Sequence, residues 1–435
     1  MLDRDARPWH HPPMDTRDQF IPVRKKDLLA QLEARGLPGG PAGAKQFRVL
    51  CQMLGAIFHF NYFEQLERLR TDYFYFNPQL DPHARCDPAE LELSYKDLTQ
   101  AFEGVLKAAN FVEISRDEIE RAHSEHALIQ VQTHAPLGDF RDVRFFRRGH
   151  HRQSFDIPAW FGLRKQKIEC DVYDDVILFV AMKPDKDVQK KNDRKHFVRS
   201  QLRPGSILIK YFRHIPSADL NALYPNVRVV MSMTDRLMLG VPAIAGGIPI
   251  LLNLIPALSV LFLVAGFYLG LSGAVHEDDT RKALAALSGL AALGGFLLQQ
   301  WIKYQRQSLK YQKLLSDNVY FRNVNNNAGI FDYLIGMAEE QECKEAFLAY
   351  HFILTAKTPP SQDDLDSGIE QWLNETFGID TDFEVDDALG KLQRLGLLKR
   401  NGGALSVLPL DEAVAHLDAL WDGFFDSSGA ARAAQ

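Results

Sequence analysis

The sequence is poor in the residues and patterns that announce chemistry. Four cysteines occur in 435 residues: Cys51, Cys86, Cys170 and Cys343. They are too scattered for a metal knuckle and too few for a disulfide-held scaffold, so they read as reduced thiols in a reducing compartment. No Walker loop, GxGxxG, HExxH, CxxC or GxSxG pattern occurs. That removes the local signatures of phosphate loops, zinc hydrolases and serine esterases. No resident metal and no cofactor are expected. The opening residues to Lys26 contain no apolar segment and are not read as a secretory signal. Asp3, Asp5, Asp15 and Asp18 also make a poor transit peptide.

The other absence is of charge. From Leu237 to Val275, 39 consecutive residues carry neither a charge nor a histidine. A polar loop, His276 to Lys282, is followed by a second uncharged run from Ala283 to Ile302. A bilayer core of about 30 Å needs about 20 helical residues. Backbone groups in lipid must be paired internally, so such runs form helices. The sequence therefore predicts a transmembrane helical hairpin over 236–303, with spans near 250–272 and 283–302. Pro242, Pro249 and Pro256 predict a broken leading segment over 237–249, because proline interrupts the helical hydrogen bonds.

Lys303, Arg306, Lys310 and Lys313 follow the second run, and Arg228 and Arg236 precede the first. Basic flanks stay on the cytoplasmic side, or its organellar equivalent. Both soluble regions are then expected on that side of a multi-pass protein, with the short loop facing out. The spans contain no ionisable group, which argues against a pump. Gly266 with Gly270 and Ala291 with Gly295 have the small-xxx-small spacing that allows close helix packing, within the hairpin or between copies.

Charge is unevenly divided along the chain. Glu339 to Asp426 holds 19 acidic and 6 basic residues, against a net −6 overall. The rest of the chain is therefore positive. Residues 1–16 read as a tail. Residues 17–235 read as an α+β domain, with helices near 23–35, 44–76 and 90–109. Ser115 to Glu118 forms a capping box that opens a further helix. Strands follow near 128–133, 142–148, 153–157, 167–172, 176–182, 206–212 and 227–231. Gly149-His150-His151 reads as the turn of a hairpin. After the hairpin of spans, 304–338 is a helical connector broken at Asn323–Gly329, with helices near 330–338 and 339–355. Residues 339–425 read as a small winged-helix-like domain: helices, including one from a Thr381–Glu384 capping box, then a β-hairpin around Asn401-Gly402-Gly403 and a last helix to Phe425. Its acidity opposes phosphate binding, so a protein partner is expected and nucleic acid is not. Residues 426–435 read as a tail.

Two basic clusters mark the first domain. Arg141 to Lys167 and Lys183 to Arg203 each hold eight Lys or Arg residues. Arg144, Arg147, Arg148, His150, Arg152, Lys190, Lys191 and Arg194 are the candidates for contact with anionic lipid headgroups. His123 and His126, near Glu118 and Glu120, are a weak metal pattern, better read as an exposed helix end. His59 reads as a packed histidine.

Several stretches carry a family resemblance. They are Arg17-Asp-Gln-Phe-Ile-Pro-Val-Arg24, Phe212 to Leu220, Tyr320 to Phe331 and Ala338 to Ala346. With the two uncharged runs, they resemble the domain of unknown function 3754 family over about residues 17–356. That family includes an animal mitochondrial membrane protein and bacterial and plastid relatives. The resemblance implies an integral membrane protein and supplies no catalytic residues. A bacterial inner membrane is the expected location, an organelle inner membrane the alternative.

Three functions follow as expectations. The first is a membrane-tethered adaptor whose basic part faces anionic lipid and whose acidic part binds protein. The second is a homo-oligomeric channel or transport component. The third is an enzyme acting on a membrane-bound or anionic substrate near Arg147, Arg148 and His150.

Overall fold

Val176-Ile-Leu-Phe-Val-Ala-Met182 is the most apolar strand in the chain, and the fold is built around it. The computed structural model describes residues 17–79, 87–125, 132–134, 140–159, 164–184, 203–225, 228–230, isolated positions between 248 and 270, and 276–425. The protein is mixed α+β with a central antiparallel sheet. The strand Arg164–Met182, β4, lies in the middle of that sheet, and its residues from Val176 to Met182 are buried on both faces. A strand covered on both sides reads as a continuous apolar run rather than an alternation. Its neighbours are β3 (Phe140–Ala159) and β5 (Ile207–Pro216). β1 (Val112–Ile114) and β7 (Asn323–Asn326) form the edges, giving the order β1-β3-β4-β5-β7.

Three helices share a core with one face of this sheet. They are α2 (Gly40–Tyr73), α3 (Pro88–Ala108) and α6 (Gly329–Thr355). Phe47, Leu50, Leu54, Ile57 and Phe58 recur on α2 at helical spacing and are buried with Phe102 of α3 and Phe331 and Phe347 of α6. Ile177, Phe179, Ile209 and Tyr211 contribute the sheet side. From Gln341 to Ile353 every residue of α6 is buried, so this helix is central. The shorter α1 (Lys25–Arg35) adds Leu28 and Leu32.

The C-terminal part follows in the same unit: α7 (Gln362–Phe377), α8 (Val385–Arg394), the hairpin β8 (Leu398–Asn401) with β9 (Ala404–Val407), and α9 (Leu410–Asp422). Its Leu389, Leu392, Leu405 and Leu417 join the core cluster that holds Ile21 and Phe47. The compact unit therefore comprises 1–118, 138–217 and 323–435. Sequence order separates 17–235 from 339–425, whereas the buried apolar cluster runs through both.

The second unit is 119–137 with 218–322. It contains the larger part of α4 (Arg116–Glu125), a ribbon of β2 (Gln132–His134) with β6 (Arg228–Val230), and α5 (Glu277–Arg322). At about 1.5 Å per residue, the 46 residues of α5 run about 69 Å. Within it, Thr280–Arg306 is long and apolar enough to cross a membrane by length and composition, and almost none of it is buried. Among the described residues it is the one such helix. Leu284, Leu287, Leu297, Leu298 and Trp301 are exposed on it. The expected first span and its proline-broken lead lie largely outside the described residues.

Local differences from the sequence reading have physical causes. Gly149-His150-His151 is not a turn: β3 continues through it, with Arg148 opposite Asp175 and His150 opposite Tyr173. Gly149 takes φ +66° inside the strand, a backbone conformation open to glycine at no steric cost. β3 runs on to Ala159, and its partner β4 begins at Arg164. Asn323–Asn326, expected as a break, is the edge strand β7 paired with β5. The two helices expected over 330–355 are one, α6. Thr381 caps nothing; its hydroxyl donates to the carbonyl of Asp18, and α8 begins only at Val385. The Ser115–Glu118 capping box forms as expected.

Candidate functional site

The residues that carry charge into the interior converge on the segment 17–23, which has no regular structure of its own. Such a segment must find partners for its backbone groups elsewhere. Asn110, at the end of α3 with φ +58°, donates to the Gln19 carbonyl at 2.8 Å. Lys344 of α6 donates to the Ile21 carbonyl at 3.0 Å. The Asp382 amide and the Thr381 hydroxyl both donate to the Asp18 carbonyl, at 3.1 and 2.6 Å. Arg17 reaches Glu370 of α7 at 2.8 Å. One short segment thus bonds to α3, α6 and the C-terminal helices.

Its Asp18 side chain reaches β3. Arg147 Nη1 donates to Oδ1 at 3.1 Å, and His150 Nδ1 lies 2.6 Å from Oδ2. Burial opposes ionisation of Asp18, but the bond and charge of His150 together with Arg147 outweigh it and lower its pKa. The same hydrogen bond raises the pKa of His150. Arg148 is 7% exposed; its Nε and Nη2 donate to Asp175 Oδ2 at 3.0 and 2.6 Å. Tyr211 of β5 donates to the other oxygen at 2.6 Å. The Arg148 guanidinium lies over the Phe20 ring, 4.2 Å from its centre.

A second cluster lies between α6 and α8. Lys391 is 1% exposed and sits against Glu345, with Asp387 at 2.8 Å and Glu342 at 3.1 Å. Burial disfavours the charge on Lys391, yet the three carboxylates prevail and raise its pKa. Burial pushes Glu345 up to about 7 against the opposing pull of Lys391. Asn110 links the two clusters by donating to Glu345 at 3.3 Å as well as to Gln19.

This seam holds together chain segments more than 300 residues apart, as in the bond from Thr381 to Asp18. In its Lys391 cluster one ammonium faces three carboxylates. No group of three His, Cys, Asp or Glu among the described residues is placed to hold a metal ion. Burial pushes the Cys343 thiol up to about 12 and Cys51 well above its ordinary value, so both stay protonated. The arrangement organises and orients the unit.

Residues 173–329 match the family model described as Protein of unknown function (DUF3754). The match supports membership of this family over that segment. The matched segment begins in β4, takes in β5 and α5, and ends where α6 starts. No solved structure matches the chain.

The sequence candidates fall in different places. Arg147 and Arg148 are buried and paired inside the seam. Arg144 bonds Glu113 at 2.6 Å and also Glu103. His150 is half-buried against Asp18. Arg152 is exposed, 3.3 Å from Asp171. Lys190, Lys191 and Arg194 lie outside the described residues. Gly270 ends a helical turn at φ +76°. Gly266 lies in the preceding helical turn. Ala291 and Gly295 are exposed along α5. His59 is exposed and 2.9 Å from Glu339. His123 lies in α4, while His126 is outside the described residues. Sequence reasoning missed Asp175, Glu345 and Lys391. The signal available for the seam was Asp18, inside the first family-like stretch.

Proposed function

We propose that this protein is an integral membrane adaptor. In this reading 237–302 forms a two-span hairpin, both soluble parts lie on the cytoplasmic or matrix side, and 339–425 is a winged-helix-like module that binds protein. A bacterial inner membrane suits it best. The observation that carries the reading is α5, whose apolar window is exposed and ends in Trp301, Lys303, Tyr304 and Arg306. Aromatic and basic residues at such an end suit a membrane–water interface on the cytoplasmic side. The module is read as a protein binder because Asp386 is exposed in the first turn of α8 while Lys391 is engaged internally with Glu345 and Asp387. Nucleic acid would meet like charge there. Lipid headgroups are the second partner, and Arg141, Arg152 and Lys167 of the first cluster are exposed.

Single-cysteine labelling with an impermeant reagent tests the topology. Labelling of position 278 from the side opposite to position 400 supports it. Labelling of both from one side overturns it. A homo-oligomeric channel or transport component is the second reading. It is favoured by Gly294 and Gly295, where a side-chain carbon on α5 would meet nothing within 4 Å. Crosslinking between copies at position 295 supports it.

A further inference from the structure

Helix α2 carries apolar residues on two faces. One face, with Phe47, Leu50, Leu54 and Phe58, lies in the core. A second line runs Val49, Met53, Ala56, Phe60 and Phe63, at spacings that alternate between i+4 and i+3. That spacing keeps side chains on one side of a helix, as in the seam of a coiled coil. A helix that buries one stripe is ordinarily polar on the others. Here the second line stays largely open: Val49, Ala56 and Phe63 are exposed, and Met53 and Phe60 are half-buried.

Helix α9 packs beside this line without filling it. Val49, Met53, Ala56, Leu417, Asp418 and Trp421 line a groove of about 270 Å³ between the two helices. Trp421 is 38% exposed and meets the Phe60 ring, 6.1 Å between centres, while Phe424 lies 4.9 Å from Phe60. From Val49 to Phe63 the line is about 21 Å long, or about four helical turns. Contiguous exposed apolar residues mark contact sites, and aromatic anchors carry much of the binding energy there. The rim on the α9 side is acidic. Asp411, Asp418 and Asp422 fall at i, i+7 and i+11, so they share a face, and all three are exposed. Lys45, one turn before Val49, adds one cation at the start of the line, and Arg48 is engaged by Glu33.

We propose that the α2–α9 groove takes an amphipathic helix of a partner protein, apolar on the face it lays in the groove and basic along the edge that meets Asp418 and Asp422. The proposal rests on the adaptor reading above and gives the partner of its acidic part a chemistry. Two helices packed side by side leave a furrow that a third fits with its own i, i+3, i+4, i+7 stripe. The acidic rim selects lysine or arginine on that partner. It opposes anionic lipid, which would bring like charge to the groove. A second copy joined by the same patch would bring these carboxylates face to face.

Photocrosslinking of the full-length protein in phosphatidylcholine nanodiscs tests this. The probe is a synthetic helical peptide of about 15 residues, with leucine at heptad positions a and d, lysine beside them and one photoreactive leucine. Its crosslinks should fall on 49–63 and 417–424, and should exceed those of the same peptide with glutamate for lysine by about tenfold. D418K/D422K should reverse that preference, and Ala56→Arg, at an exposed position, should block both peptides. Equal labelling by the two peptides, or labelling that D418K/D422K leaves unchanged, overturns the proposal. So does groove labelling by a photoreactive lipid of the disc, which assigns the surface to the bilayer. Labelling that appears only after deletion of 426–435 assigns the groove to those residues, and labelling that vanishes as copies per disc rise assigns it to a second copy; either overturns the proposal. Crosslinks elsewhere on 339–425 overturn the groove and leave the adaptor reading standing. A chain that never enters the discs overturns the membrane part of that reading, and the same labelling in buffer still decides the groove.

Discussion

Arg148 and Asp175 face each other across β3 and β4, and two guanidinium nitrogens share one carboxylate oxygen at 2.6 and 3.0 Å. Both side chains are buried. Removing one partner of such a pair strands the other charge in the interior. Asp175→Leu is expected to lower unfolding free energy by about 3–5 kcal/mol, read from urea midpoints, and R148M/D175L to regain much of it. Equal loss in the single and double variants would mean that packing, not charge, holds this site.

Lys391 gives a related expectation with a pH signature. Lys391→Met leaves Glu342, Glu345 and Asp387 facing one another. The pKa of Glu345 is already raised to about 7, so its protonated form favours the folded state. That contribution is present below the unfolded value near 4.5 and is lost as pH rises through the folded one. The deficit of K391M relative to the parent should therefore shrink as pH falls from 8 to 5, checked by thermal unfolding across that range. A deficit independent of pH would contradict this.

His351 behaves in the opposite sense. It is fully buried on α6 with the Phe47 ring 5.5 Å away, and burial with the nearby Arg35 charge lowers its pKa from 6.5 to about 4. The unfolded chain takes up its proton near 6.5 and the folded chain does not. Stability is retained above 6.5 and declines as pH falls towards 4. At about 1.4 kcal/mol per unit the loss reaches up to about 3 kcal/mol. His351→Leu should remove that portion of the acid sensitivity, and an unchanged pH profile in the variant would refute the assignment.

Gly149 tests the reading of β3 as one strand. A Cβ there would lie 2.5 Å from Asp174 Oδ2, and the residue has φ +66°. Gly149→Ala is expected to cost about 1–2 kcal/mol. Gly149→Ala with Asp174→Ala should recover the steric portion and leave the backbone portion.

Parts of this fold are plain in the sequence because they depend on neighbours. The run Val176–Met182, the Ser115–Glu118 capping box and the Asn401-Gly402-Gly403 turn each declare themselves locally. Asn323–Asn326 does not, since asparagine is poor in strands and only pairing with β5 makes it one. Gly149-His150-His151 has the composition of a turn, and only its continuous register with Tyr173 and Asp175 keeps it extended. The seam was invisible for another reason. Arg147 looks like a surface charge until Asp18, 129 residues away, is brought to it. A basic cluster in sequence counts charges, while their availability depends on partners brought by the fold.

The membrane tether is the centre of the account, and extraction at alkaline pH tests it most directly. Membranes carrying the full-length chain are washed with sodium carbonate and then with detergent. The account predicts that the chain stays in the pellet through carbonate and is released by detergent alone, as exposed apolar helix at Thr280–Arg306 requires. Release by carbonate would contradict it.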